Sequence, residues 1–484
     1  MSPLPDAVRA ELQAAIAHHQ AGRLGEAEAL YRRVLAQAPG HPDALHFLGL
    51  LAHQAGNHAA AVELIGAALR VIPEHAQCHL HLGLAMQSLG RLDEALACFE
   101  RALSLNPGLV AALNNRGNAL QALGRFDEAI AAYRQSLAQC PDDPDMLNNL
   151  GHALDAAGQP AEAIASFQRA QALRPQFAAA LCNEGVAHLR QGDFVAGWRL
   201  FEWRHRALDA RLVREYREPL WLGDQPLTGK TLLIHHEQGL GDTIQMLRYV
   251  PELAARGARV LIEVPAALEA LARSVAGEPV VVAEGLPLPP FDLQCPMMSL
   301  PLACGTTLAT IPARMPYLAA TPASRAAWAA RLGPATGRRI GLVWSGSPGH
   351  QNDRLRSIPL SLFAPLLKLS AEFHALQREY RADDRQLLPQ LGLRDWSPQL
   401  TSLADTAGLV DQLDLVITVD TAVAHLAGAL GKPVWLLLPV PADYRWLLDR
   451  TDSPWYPTMQ LYRQRAGGDW ASVLDAVTTA LLRE

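Results

Sequence analysis

Residues recur at an interval of 34 through the N-terminal part of this chain, and that period limits what it can fold into more than any other feature. Pro39, Pro73, Pro107, Pro141 and Pro175 share the spacing, as do Gly49, Gly83, Gly117, Gly151 and Gly185 and the series Gly22, Gly56, Gly90, Gly124, Gly158 and Gly192. Small Ala27, Ala61, Ala95, Ala129 and Ala163 fall in register, with bulky Tyr31, Ile65, Phe99, Tyr133 and Phe167 four places on. Each unit predicts two amphipathic helices: the first glycine lets them pack closely, the second turns the chain, and the proline stops the second helix. A unit that cannot bury its apolar face alone stacks on its neighbours, so the expectation is an α-solenoid.

The pattern is identified as tetratricopeptide repeats, with units at 8–41, 42–75, 76–109, 110–143, 144–177 and a degenerate one from 178 to about 204. In the last unit Gly197 replaces the small alanine and an aromatic-rich run, Trp198-Arg-Leu-Phe-Glu-Trp203, follows, as expected where an array caps onto another domain. The solenoid is placed at 1–204. Its concave face suits an extended ligand; the alternative is an array that dimerises or spaces domains. One repeat position carries Asn115, Asn149 and Asn183 in successive units. A column of carboxamides gives a peptide backbone both donors and acceptors with little sequence preference, which makes these three the candidate acceptor-binding residues. Such a ladder resembles the superhelix of eukaryotic O-GlcNAc transferase. Helix-surface polarity or capping is the alternative.

After an Arg- and Pro-rich linker (205–228), short β-branched runs alternate with helical stretches. Strands are expected at Thr231–Ile234, Arg259–Val264 and Val280–Val282, and then at Arg339–Trp344, Phe373–Leu376, Leu415–Val419 and Pro433–Leu438; helices are expected near Thr243–Arg256 and Ala267–Ser274. Alternation of this kind predicts parallel sheets with crevices at strand C-terminal ends. The expected architecture is therefore a solenoid followed by an α/β GT-B-like pair of Rossmann-like lobes, 229–320 on the acceptor side and 335–484 on the donor side.

Leu415-Val-Ile-Thr-Val-Asp-Thr-Ala-Val-Ala-His425 is the most informative stretch. A buried strand ends at Val419 and a helix begins near Thr421, so free backbone N–H groups and the positive end of a helix dipole face the crevice, a fit for a diphosphate. His425 lies one turn on and leans back toward the same end. Alternatively, Asp420 is an N-cap and His425 a satisfied helix histidine. In the first lobe His235-His-Glu-Gln-Gly-Leu-Gly-Asp242 leaves a strand and enters a helix. Gly239 and Gly241 permit close approach of backbone to substrate, and the full dinucleotide fingerprint is lacking. A carboxylate at Asp242 is suited to take the proton of an attacking hydroxyl, with an N-cap as the alternative. His235 and Glu237 flank the loop as second candidates. Gln377, at the end of a strand, is a candidate wall for a nucleotide base, and Asp443-Tyr-Arg-Trp446 for the donor pocket.

Asp420-Thr421-x-x-x-His425, followed by Gly431-Lys-Pro433, resembles the donor-binding motif of the ADP-heptose:lipopolysaccharide heptosyltransferases. That resemblance implies an inverting, metal-independent GT-B transferase in which these positions contact the donor sugar and diphosphate, and in which Asp242 stands where the family carries a proposed base. It also implies a phosphate loop at Ser345-Gly346-Ser347 and a basic phosphate contact at Arg356, where the family often has Lys; Asn352, Arg354 and Ser357 share the loop. A surface basic loop is the alternative. The whole layout is similar to bacterial repeat-containing glycosyltransferases, which implies a nucleotide-sugar donor and a protein acceptor, such as flagellin or another surface protein, held by the repeats. A lipid-linked glycan or lipopolysaccharide-type acceptor, or an adaptor with a vestigial transferase lobe, are the alternatives.

The charge balance, 42 basic against 48 acidic residues, gives −6 and supplies no basic face for nucleic acid. Cys78, Cys98, Cys140, Cys182, Cys295 and Cys304 include no Cys-x-x-Cys pair, so neither a zinc cluster nor a disulfide framework is expected. No metal and no cofactor beyond the co-substrate is called for. The N-terminus has no leader pattern and no run is long enough to span a membrane, so a cytoplasmic protein is expected.

Overall fold

The computed structural model describes residues 5–207, 214, 216–349 and 352–483; residues 208–213 and 215 of the expected linker lie outside them. The chain divides into two compact units, Met1–Phe177 and Ala178–Glu484.

The first unit is a tetratricopeptide solenoid of paired helices: Asp6–Gln20 with Leu24–Gln37, Pro42–Gln54 with His58–Val71, Ala76–Ser88 with Leu92–Leu105, Val110–Ala122 with Phe126–Gln139, and Pro144–Ala156 with Pro160–Leu173. The periodic residues do what their chemistry allows. A β-carbon on Gly151 would come within 2.6 Å of Phe167 Cε1, so only glycine lets the paired helices close on that ring. Gly124 turns the chain at φ 78°, which an L side chain resists. Each second helix ends two residues before its proline, because a residue ahead of proline is pushed out of the helical region.

The pair Ala178–Arg190 and Phe194–Phe201 is grouped with the second unit, so the structural division falls before the degenerate repeat and not at residue 204. Aromatic packing is the cause. The Trp198 ring lies 5.8 Å from that of Tyr444, and Phe194 stacks at 5.9 Å on Trp455.

Among the described residues of this unit, ten strands form two all-parallel sheets. They are β1 Thr231–His235, β2 Arg259–Val264, β3 Val280–Ala283, β4 Leu293–Pro296, β5 Arg339–Val343, β6 Glu372–Ala375, β7 Arg394–Asp395, β8 Leu415–Val419, β9 Val434–Leu438 and β10 Met459–Arg463. Their orders are β3-β2-β1-β4 and β10-β9-β8-β5-β6-β7. β5, β8 and β9 are buried along their whole length, as parallel strands covered on both faces must be. β4 was hidden in proline-rich sequence; it is tolerated as the outermost strand, where Pro296 is not asked to donate to a ladder. The expected helix at Thr243–Arg256 is two shorter ones, Leu240–Met246 and Val250–Ala255, joined by a 3₁₀ turn at Leu247–Tyr249. Pro251 explains the break: it cannot donate within a continuous helix and sits in the first turn of the second piece. The one expected at Ala267–Ser274 is likewise a 3₁₀ turn, Ala266–Leu268, running into Glu269–Ala272.

In both sheets the chain starts in the middle and later crosses to the other side, between β1 and β4 and between β5 and β8. Crevices open at the carboxyl ends of strands flanking such a reversal. Those ends carry the loops after β1, β5 and β8. No helix among the described residues is long and apolar enough to cross a membrane.

Candidate functional site

The loop after β1 turns into the helix Leu240–Met246 with Gly239 as its N-cap. Asp242 is therefore the third helical residue and not the cap itself; its Oδ2 accepts from the Gly239 N–H at 2.8 Å and pins the loop to the helix. Its Oδ1 accepts from Arg445 Nη2. After β8, Asp420 precedes the N-cap Thr421, and the helix Ala422–Ala429 begins with no side chain capping it. An uncapped start leaves backbone donors and the positive dipole end for an anion.

These two helix starts meet. A β-carbon on Gly241 would lie 2.8 Å from His425 Cδ2 and 3.6 Å from Ala422 Cα. Around this contact the His425 ring stacks on Trp446 at 5.4 Å, Trp446 Nε1 donates to Asp420 Oδ2 at 2.8 Å, and His425 Nδ1 meets the Tyr456 hydroxyl at 2.9 Å.

Electrostatics then sort the roles. Burial, reinforced by the Arg445 guanidinium, pushes the His425 pKa down to about 3, so its imidazole is neutral. Burial pushes Tyr456 up, so it keeps its proton and can donate it to Nδ1, leaving hydrogen on Nε2. Burial and the neighbouring Asp443 push Asp420 up to about 6. Arg445 is buried, yet burial is outweighed by Asp443, Tyr444 and Asp242, which hold it charged. It bonds Asp443 at 2.9 Å and Gln245 at 2.6 Å besides Asp242, and so ties the helix after β1 to the loop after β9.

The loop after β5 joins the same group. The Ser345 N–H donates to Gln377 Oε1 at 3.3 Å and Gln377 Nε2 donates to Ser345 O at 3.0 Å. Both ends of the Gln377 carboxamide thus hold the Ser345 peptide, at the strand end where a wall for a nucleotide base is expected. The Gly346 N–H donates to Ser357 Oγ at 3.1 Å, and Ser357 donates to Asp353 at 2.9 Å. Arg356 reaches across, donating from Nη1 to Asp420 O at 2.9 Å. Its Nε is buried without a hydrogen-bond acceptor, with Asp353 Oδ1 3.8 Å away, so a guanidinium donor remains for an anion. Ser347, Asn352 and Arg354 are exposed around it.

The second candidates for the base lie at the end of β1 and in the loop that follows it. Glu237 is held by Arg204 at 2.8 and 3.2 Å and by the Met298 N–H, within a buried group that includes Glu202 and Ser299. Burial raises its pKa, but Arg204 prevails and keeps it below the ordinary value. His235 turns to Gln294 Oε1 at 3.0 Å, and burial pushes its pKa down to about 4. These bonds tie the degenerate repeat and β4 to the loop after β1. His236 faces Glu284 and Arg214, the opposite side from His235, as successive residues leaving a strand should.

The asparagines are partly engaged. Asn115 donates to Ala111 O of its own helix at 2.8 Å, and Asn149 donates to Asn114 and Asn118 of the preceding repeat at 3.3 and 3.4 Å. Asn183 belongs to the second unit and has a partner of its own. Asp143 of the Asp142-Asp143-Pro144 turn caps the helix Pro144–Ala156. Sequence patterns did not single out Gln245 and Tyr456, and marked Arg445 only within a four-residue stretch; nothing in local spacing signals that these residues converge.

Comparison with known proteins agrees with this layout. Residues 108–176 match the family "Tetratricopeptide repeat", 87–124 match "TPR repeat" and 20–102 match "Anaphase-promoting complex, cyclosome, subunit 3". Residues 387–437, which include Asp420, Thr421 and His425, match "Glycosyltransferase family 9 (heptosyltransferase)". Protein FlbA of Caulobacter vibrioides is 27% identical over 322 residues, covering 60% of this chain and 53% of FlbA, so the chain spans about half the length of the curated relative it matches. Among solved structures, PilW, a type IV pilus biogenesis factor, is 22% identical with TM-score 0.39, covering 42% of this chain and 94% of PilW. YrrB, described as a TPR protein with an unusual peptide-binding site, is 23% identical with TM-score 0.33, covering 35% of this chain and 88% of YrrB. The chain thus combines tetratricopeptide repeats with a segment similar to glycosyltransferase family 9.

Proposed function

We propose that this chain is an inverting glycosyltransferase with a GT-B-like pair of lobes, which moves a sugar from a nucleotide-diphosphate donor to a hydroxyl of a protein bound by the repeats, without a divalent cation. The contact between Gly241 and His425 carries this reading, because it brings the helix that carries Asp242 against the helix that begins uncapped at Thr421. Asp242 has two engaged oxygens, but each carboxylate oxygen has a second lone pair, so one remains for an acceptor proton. The acceptor oxygen attacks the anomeric carbon from one face, its proton passes to Asp242, and the bond to the diphosphate breaks on the other. The helix N–H groups, Thr421, the Nε2–H of His425, the Ser345–Ser347 loop and Arg356 receive the developing negative charge. Repeats of this type bind proteins, which favours a protein acceptor over a glycan.

A thermal-shift screen of nucleotide sugars in EDTA tests the donor class, and nucleotide release then tests the chemistry. A stabilising donor is expected to keep its effect in EDTA. Asp242→Asn should lose about 10²-fold or more of turnover while still binding that donor. Undiminished turnover in Asp242→Asn would refute the role of the base, and donor stabilisation that vanishes in EDTA would refute metal independence.

A further inference from the structure

Three soft ligands converge inside the solenoid, far in sequence from the transferase motifs. His46, on the helix Pro42–Gln54, and His75 and Cys78, at the start of the helix Ala76–Ser88, each present a nitrogen or sulfur atom, and these atoms lie within 4.8 Å of one another. His46 and Cys78 are buried and His75 is half-buried, so the cluster has a wall and a way in. A tetrahedral zinc ion with bonds of about 2.0–2.3 Å needs donor separations of about 3.3–3.6 Å, within reach of small side-chain rotations.

Neighbouring groups already orient the ligands. His75 caps its helix, Nδ1 accepting from the Cys78 N–H at 3.2 Å, which leaves Nε2 as its free nitrogen. His81 Nδ1 lies 2.7 Å from His46 Nε2, the kind of second contact that holds a ligating imidazole in place. The repeat register shows that packing does not require His46 or Cys78. The positions equivalent to Cys78 in three other units are Ala44, Ala112 and Ala180, and those equivalent to His46 include Leu80 and Asn114. At this junction an imidazole and a thiol stand where those units carry apolar or amide side chains, and they meet His75, which keeps the capping role of its register equivalent His41.

We propose that His46, His75 and Cys78 form a binding site for a thiophilic divalent cation of the zinc class, with the fourth position open to water or a partner's ligand. On binding, Cys78 becomes the thiolate and its proton passes to solvent; no electron is transferred. Nitrogen and sulfur donors without a carboxylate select against magnesium and calcium. The site links two adjacent repeats, so the ion would stiffen the solenoid near its start.

The test uses the full, tag-free chain stripped with EDTA. One equivalent of Co²⁺ should produce a sulfur-to-metal charge-transfer band, Zn²⁺ should bleach it, and Zn²⁺ should raise the melting temperature with one ion bound per chain. His75→Asn keeps a side-chain cap for the helix while removing the Nε2 donor, so it should melt like the metal-free parent yet bind at least 100-fold more weakly. Cys78→Ser should lose the band, and Cys98→Ser should keep it. A missing band in the parent, a band that survives in Cys78→Ser, or unchanged affinity in His75→Asn would each overturn the proposal.

Discussion

His425 Cδ2 stands 2.8 Å from the point where a β-carbon on Gly241 would lie, so a glycine in the helix after β1 lets the helix after β8 come up against it. Both helices start at the carboxyl ends of strands beside a chain reversal, and the contact therefore sets the approach of the helix that carries Asp242 to the helix that begins uncapped at Thr421.

Gly241→Ala should force that contact apart. Overpacking of this kind costs about 1–3 kcal/mol, and a displacement near 1 Å between reacting groups can cost about 10²-fold in rate. The expected result is a modest drop in melting temperature with a fall of tenfold or more in donor turnover, read as nucleotide release. Parental turnover in Gly241→Ala would show that the spacing of the two helix starts is not needed for the chemistry.

Arg445 is the buried cation among Asp242, Asp443 and Gln245. Removing one member of a buried ion pair leaves an uncompensated charge, at a cost of about 3–5 kcal/mol. Arg445→Gln should therefore lower the melting temperature markedly, and Asp242→Asn added to it should recover part of the loss without restoring activity. Equal melting of Arg445→Gln and the parent would mean that the guanidinium does not hold this network.

Much of this was legible in the residues. The 34-residue period set the paired helices because a small residue and a bulky one pack together once per unit, and β8 with its following helix was visible because an apolar, β-branched run ended at Asp-Thr. Other parts were hidden for physical reasons. β4 is an outermost strand of four residues ending in proline, too short to show a period. Gln377 and Glu237 have side chains suited to chemistry, but their partners, Ser345 and Arg204, are brought to them by tertiary packing that no local spacing records. The same holds for His46 and Cys78, which the repeat stacking sets side by side although no metal-ligand spacing joins them in sequence.

The titration of the site has a definite sign. His425 moves from its ordinary 6.5 down to about 3 through burial and Arg445, so the unfolded chain binds a proton there first; its contribution to stability is present above pH 6.5 and lost as pH falls toward 3. Asp420 moves from 3.8 up to about 6 through burial and Asp443, so its contribution is present below 3.8 and lost as pH rises through 6. Between about pH 4 and 6 the two slopes oppose each other. Asp420→Asn removes one of them, and acidification from pH 6 to 4 should then lower the melting temperature more steeply than in the parent, uncovering up to about 1.4 kcal/mol per pH unit. Parallel melting curves across that range would count against these protonation states.

The degenerate repeat should behave as part of the second unit. Phe194, Trp198 and Phe201 are buried, with Trp198 edge-on to Tyr444 and Phe194 stacked on Trp455, while Arg204 of the same segment is locked to Glu237 after β1. Cutting the chain at residue 205 removes all four side chains; it exposes Trp455 and Tyr444 and leaves Glu237 as a carboxylate without its cation, each a large loss. A fragment of 178–484 keeps them. Expressed side by side, 178–484 should give a single cooperative melt and elute as one sharp species, whereas 205–484 should aggregate or melt far lower. Equal behaviour of the two fragments would place the working boundary at residue 204 and would reduce the aromatic contacts to incidental packing.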